Sequence, residues 1–435
     1  MSDVPLSVLD LVPVSAGATH SEALRNAVDL ARRTEAFGYR RYWLAEHHLA
    51  SGVIGASAAV TIALVGAATR TIRLGSAGVQ IGHRTPLSVV EEFGLLNAAF
   101  PGRLDLGIGR SLSRPAPKGG DGPAPVEAAQ PSPSAGPPAP AGTPVTAGAA
   151  LVSSGAGAGP GAATSAAGAA DAAGAAANYV ASLGGANHTA DEYTAGGLLL
   201  PKKFDISRLL ASDRLGLTLA LLQQPGAYAP DYGEQIDDVL ALLAGTYRSP
   251  GGLPAHASPG EGADLEIWIL GASGGVSAQV AGQRGLPFAA SYHHSPSTVL
   301  DGINAYRAAF RPSARLERPL VAVSADVVVA EDDDTAARLA AGYGPWVLSI
   351  RAGSGAIPFP APEDALAHTW TDEERELVAD RVRTQLVGSP RTVADRLEQL
   401  RAATGADELA ITTITHQHAD RVRSYELLAD EWSRR

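Results

Sequence analysis

The stretch LSVLDLVPVSAGATHSEAL, Leu6 to Leu24, decides between two architectures. It opens as an apolar strand and passes through a short turn into a helix. Thr19 and Glu22 stand at capping-box spacing, and Gly38 supplies the stop. An open, doubly wound sheet usually carries a G-x-G-x-x-G fingerprint at this first strand–helix turn. Here the turn reads PVSAGATHSEAL and has no such fingerprint.

The same strand–helix unit repeats along the chain. After LSVLDLVPV, the runs YRRYWLAE, IRLGSAGVQI, RLDLGIG, LEIWILG, LPFAASY, PLVAVSADVVVA and DELAITTIT read as strands, eight in all. Helical segments such as AAVTIALVGAATR, PLSVVEEFGLLNAAF, GEQIDDVLALLAG, SPSTVLDGINAYRAAF and TVADRLEQLRAAT lie between them, and ADRVRSYELLADEW closes the chain. Strict alternation favours parallel strands joined by crossover helices. Eight such units predict an α/β fold, a (β/α)8 TIM barrel, with the doubly wound sheet as runner-up. In a barrel the strand C-termini and the loops after them form the active face.

One segment breaks the pattern. Residues 112–190 are dominated by Ala, Gly, Pro and Ser, as in PAPVEAAQPSPSAGPPAPAGTP. Such a composition buries too little apolar surface to offset its ordering entropy. We expect a flexible insertion after strand 4, either linker or lid. The first half of the barrel is then residues 1–111, and the second half with the terminal helix residues 191–435.

Composition narrows the function. The 435 residues carry a net charge of −11, which argues against a general nucleic-acid binder and against an anionic membrane surface. No apolar run approaches the roughly 20 residues of a membrane helix. The N-terminus has no basic region before its apolar stretch and does not read as a signal peptide. There is no cysteine, which excludes disulfides, thiolate nucleophiles and cysteine metal sites. A cytoplasmic protein is the simplest expectation.

Chemistry-bearing residues gather at the strand ends. The second strand runs into Glu46, His47 and His48. An imidazole exchanges protons near neutral pH, and Glu46 can set the His47 tautomer or raise its pKa. Ordinary loop histidines are the alternative. Metal binding is not expected, because no third ligand stands nearby in sequence. Gly75, Ala77 and Gly78 end the third strand and mark either a bulge or a close ligand approach. Arg110 and Arg114 follow the fourth strand and suit an anion, or simply solvent. After the fifth, Ser273, Gly274, Gly275 and Ser277 open a helix, as an anion cradle or as a plain N-terminal turn. The sixth ends in His293 and His294, and the last in His416 and His418.

In their order, WLAEHH, RLGSAGV, PGRLDLGIGR, LGASGGVSAQVAGQRGLPFA and GADELAITTITHQHADRVRSYELLA resemble the bacterial luciferase-like flavin monooxygenases, above all their single-chain actinobacterial members. The resemblance covers about residues 5–111 and 191–432. It implies a barrel that holds reduced FMN at the strand C-termini. His47 matches the histidine that supports the flavin hydroperoxide chemistry. Ala77–Gly78 matches a non-proline cis peptide under the isoalloxazine. Arg110 matches the phosphate-binding arginine, and Ser273, Gly274, Gly275 and Ser277 match the rest of the cradle. Gly109 stands where luciferases have a reactive cysteine, GHRTP replaces PNHAP, and GRSLS replaces GRAPG; these departures bear on substrate choice and, less, on flavin affinity.

The resemblance implies a monooxygenase that uses reduced FMN and O2, through a C4a-hydroperoxyflavin, to oxygenate a small organic substrate. A separate flavin reductase is the expected partner, since no nicotinamide fingerprint is visible, and a homodimer is expected. The alternatives are hydride transfer with F420 and a flavin-binding protein without turnover.

Overall fold

A computed structural model describes residues 4–111, 188–210, 212–224 and 227–435. The expected insertion falls almost wholly outside the described residues, as does Arg114. Eight strands form the barrel: β1 (Leu6–Asp10), β2 (Arg41–Leu44), β3 (Arg73–Ser76), β4 (Leu104–Gly109), β5 (Leu265–Gly271), β6 (Phe288–Ser291), β7 (Val321–Val329) and β8 (Glu408–Thr412). Each is parallel to its neighbours. The ring closes where β8 pairs with β1, Leu6 against Leu409, and where β6 pairs with β7, Phe288 against Val321. The chain is thus a TIM barrel, as the missing glycine fingerprint predicts.

The helices follow from the signals in the sequence. α1 (His20–Ala36) starts at the Thr19–Glu22 capping box, with Glu22 Oε2 accepting from the Thr19 backbone N–H at 2.7 Å. α2 (Ala58–Ala68) and α3 (Pro86–Ala99) follow β2 and β3. α4 (Tyr232–Leu243), α5 (Val276–Gln283), α6 (Val299–Ala309), α7 (Pro390–Thr404) and α8 (His418–Trp432) belong to the second half. Outward residues such as Tyr42, Leu44, Leu74, Leu106 and Ile267 pack under this ring in one continuous core. Among the described residues no helix is long and apolar enough to cross a membrane.

Side chains alternate across a strand, so every second residue faces the barrel axis. At the N-terminal end that inner layer is charged. Arg41, 1 % exposed, reaches Asp105 and Glu266 through Nη1, at 2.8 Å each, and Glu408 through Nε at 2.9 Å. Arg73 adds a second cation on Asp105. One layer up lie Trp43 and Trp268, edge to face with ring centroids 5.1 Å apart. The Trp43 indole donates to Asp105 at 2.9 Å, which ties the aromatic layer to the charged one. Gly75 makes room for it, since a Cβ there would sit 2.7 Å from Trp43 Cδ1.

Around and above the tryptophans many inward residues are small, Ala77, Gly109, Ala289, Ala322 and Ala410 among them. Small residues leave the C-terminal mouth of the barrel open, and that opening is the site.

Candidate active site

A cavity of about 370 Å³ occupies the C-terminal mouth, with Trp43 in its lining. Glu46, His47, Ala77, Gly78, Arg110, Ser273, Gly275 and Ser277 all line it. Gly274 does not. A Cβ there would meet the Asp301 carbonyl oxygen at 3.1 Å, so this glycine lets the loop lie against α6.

The run expected as one third strand is interrupted. β3 stops at Ser76, the Ala77–Gly78 peptide is cis, and Val79–Gln80 resumes pairing with β4. A Cβ on Gly78 would sit 2.9 Å from the Gly107 carbonyl oxygen. The break therefore serves a close backbone approach rather than a simple bulge.

At one end of the cavity, Arg110 follows β4 and the Ser273–Ser277 loop follows β5. Gly275 is the N-cap of α5 and offers no side chain to its first amides. Tyr232, buried on α4, donates to the Ile108 carbonyl at 3.3 Å and lies close to both Ser277 and Arg110. Sequence reading missed this tyrosine, because it lies far along the chain from either loop. A cation, serine hydroxyls and uncapped helix amides are the donor set of a phosphate site.

The regular strand ends at Leu44, and past it Ala45, Glu46 and His47 all reach the cavity that Trp43 floors. Burial pushes the His47 imidazole down to about 4, His48 pushes the same way, and the upward pull of Glu46 is the smallest influence. The ring is neutral at neutral pH. Its Nδ1 is buried and, among the described residues, has no hydrogen-bond partner.

Glu46 does not orient this ring, contrary to expectation. Its Oε1 receives His48 Nε2 at 2.9 Å and His83 Nε2 at 3.2 Å, with Arg84 at 3.5 Å. The Gln80 amide N–H donates to Oε2 at 3.3 Å. Burial alone would raise this carboxyl, but the His48 and His83 hydrogen bonds, Arg84 and Gln80 together hold it down to about 2. His83 is the nearby third group that sequence spacing hid. Glu46, His48 and His83 present donor atoms within 4.8 Å of one another, a spacing a transition cation accepts. The Arg84 guanidinium against the same oxygen works against a dication.

The Glu46 cluster gives a pH prediction. A carboxylate held at about 2 when folded, against 4.5 unfolded, stabilises the fold fully above pH 4.5 and loses that contribution as pH falls towards 2. Urea melts of the parent and Glu46→Gln should show their stability gap narrowing by about 2 kcal/mol between pH 6 and pH 3. A gap independent of pH would contradict the assignment.

Across the mouth, His293 and His294 line the cavity from the end of β6. His416 and His418 do not line it: His416 reaches the Ala16 carbonyl at 3.1 Å, and His418 pairs with Asp29 at 3.0 Å.

A family model described as luciferase-like monooxygenase matches residues 4–130 and 234–408. The chain belongs to the luciferase-like monooxygenase family. Its relatives include the Bacillus subtilis protein YvbT, 30 % identical over the whole chain and 98 % of the relative. A luciferase-like monooxygenase of Escherichia coli K12 is 27 % identical over 98 % of this chain and 96 % of its own. Apo-MsnO8 superposes with a TM-score of 0.68 at 25 % identity, covering 99 % of this chain and 98 % of that one. Below 25 % identity, two further structures share the fold: the oxygenating constituent of Pseudomonas putida 3,6-diketocamphane monooxygenase in complex with FMN (18 %, TM-score 0.50) and an F420-dependent secondary alcohol dehydrogenase (11 %, TM-score 0.53). Each covers 98 % of this luciferase-like chain; the first is itself covered to 97 % and the second to 98 %.

Proposed function

We propose that this luciferase-like protein binds reduced FMN at the barrel mouth and oxygenates a small organic substrate with O2, the reduced flavin arriving from a separate reductase. The observation that carries this reading is the convergence of Arg110, Ser273, Ser277 and the uncapped α5 amides at one end of the cavity. That donor set fits a flavin phosphate, and the Ala77–Gly78 backbone lines the same cavity, where a flat ring would lie.

When bound, FMN would supply the electrons that activate O2. The chain's own residues do the rest. Arg110 and the Ser273–Ser277 loop anchor the phosphate. Leu11, Ala45 and Leu270 exclude water from the ring end. His47 lines the cavity as a neutral ring, in place to exchange a hydrogen bond with what binds there.

Arg110→Ala should weaken FMN binding by about 1.5–3 kcal/mol, the loss of one charge-assisted hydrogen bond, or about ten- to 150-fold in Kd. Flavin fluorescence quenching measures this, and an unchanged Kd would remove Arg110 from the cradle. Hydride transfer with F420 is the second reading, favoured by the fold shared with an F420-dependent enzyme. Parallel titrations with FMN, reduced FMN and F420, followed by oxygen uptake, separate the two: F420 bound in preference to FMN, with no oxygen uptake, decides for hydride transfer.

A further inference from the structure

We infer that His293 is a substrate-recognition residue, a neutral hydrogen-bond acceptor that selects a largely apolar substrate carrying a hydroxyl group. This rests on the monooxygenase reading and goes beyond it, because it names what the substrate must present.

His47 follows β2 and His293 follows β6. These strands stand four apart in a closed ring of eight, so the two imidazoles face each other across the mouth. Arg110 and the Ser273–Ser277 loop, after β4 and β5, occupy the arc between them. The substrate space therefore has His47 on one side and His293 on the other.

The tautomer follows from the hydrogen bonds around Nδ1. Ser324 Oγ, on β7, lies 2.6 Å from it, and Ser291 Oγ lies at 3.2 Å. The Ser324 hydroxyl in turn donates to the Ala290 carbonyl at 3.3 Å. A hydroxyl has one proton, so if Ser324 gives it to that carbonyl, its oxygen must accept from His293. The proton then sits on Nδ1 and the lone pair on Nε2. Among the described residues no polar group pairs with Nε2. Backbone contacts fix the ring's origin, since the His293 amide donates to the Ser324 carbonyl at 3.1 Å.

Protonation chemistry limits the role. Burial holds the His293 imidazole well below its ordinary range, and Arg381, His294 and His47 add to this. Such a ring is a poor base for a hydroxyl proton, so it accepts a hydrogen bond and leaves the proton on the substrate. The nearby walls are Ala289, Ala290 and Ala322. A buried acceptor left unpaired is costly, which turns one hydrogen bond into discrimination against ligands that lack a donor.

The test uses 2-naphthol and 2-methoxynaphthalene, which differ only in the donor. FMN is titrated first on the same samples, so a failure of flavin binding is scored apart from a failure of this inference. The two ligands are then titrated by calorimetry with and without oxidised FMN. The parent should bind 2-naphthol about tenfold more tightly. His293→Phe should abolish that preference and leave the affinity for 2-methoxynaphthalene within about twofold of the parent's. Ser324→Ala, a small change that guards against misfolding of the first variant, should reduce the preference severalfold by releasing the tautomer. Equal affinities in the parent, or a preference that survives in both variants, overturn the inference. So does tighter, His293-dependent binding of the acceptor-only 2-acetylnaphthalene, which would place the proton on Nε2.

Discussion

His47→Ala is expected to lower the rate of product formation by about 10²-fold, the lower end of what a general acid–base group contributes, since burial leaves this ring a weak base. Thermal melting and FMN affinity should stay near the parent's, because the side chain lines the cavity and, among the described residues, its ring has no hydrogen-bond partner. His48→Ala should cost less product, since His48 is spent on Glu46 and does not line the cavity. Stopped-flow absorbance with product analysis measures both variants. Parent-like traces and yields from His47→Ala would return this residue to the status of a loop histidine.

Arg41→Met is the variant with the largest expected effect on stability. It takes one of two cations from buried Asp105 and the closest cation from buried Glu408, a loss of about 3–5 kcal/mol. Arg423→Ala serves as the comparison. Its pair with Glu331 is 3.0 Å long but exposed, and its removal should cost less than about 1 kcal/mol. Urea denaturation measures both. If Arg41→Met melts like Arg423→Ala, the charged layer does not hold the barrel together. Because Asp105 also accepts from Trp43, the same variant should weaken FMN binding, whereas Arg423→Ala should not.

The barrel was legible because buried strands are continuous apolar runs bounded by turn residues. LEIWILG matches β5 residue for residue, Leu265 to Gly271. The helix at Tyr343–Arg351 was not legible: Gly342, Gly344 and Pro345 read as breakers, yet the proline lies in the first turn, where its missing N–H costs nothing. The site shows the same division. His47, Ala77, Gly78, Arg110 and the Ser273–Ser277 loop each carry a local signal at a strand end. The partners of Glu46 do not, because His83 and Arg84 stand 37 and 38 positions away and meet it only when β2 and β3 lie side by side. The charged layer was hidden likewise. Arg41, Asp105, Glu266 and Glu408 come from four separate strands, and each alone reads as the polar start of a strand.

The paired tryptophans beneath the cavity also make the protein its own optical gauge. Of its five tryptophans, only Trp43 and Trp268 lie in the barrel's interior stack. A yellow chromophore settling above them absorbs where indole emits, so occupancy of the mouth reads out as dimming of the native ultraviolet emission. With Trp346, Trp370 and Trp432 replaced by phenylalanine, the signal would come from those two rings alone, and ligand arrival could be followed in real time without any label.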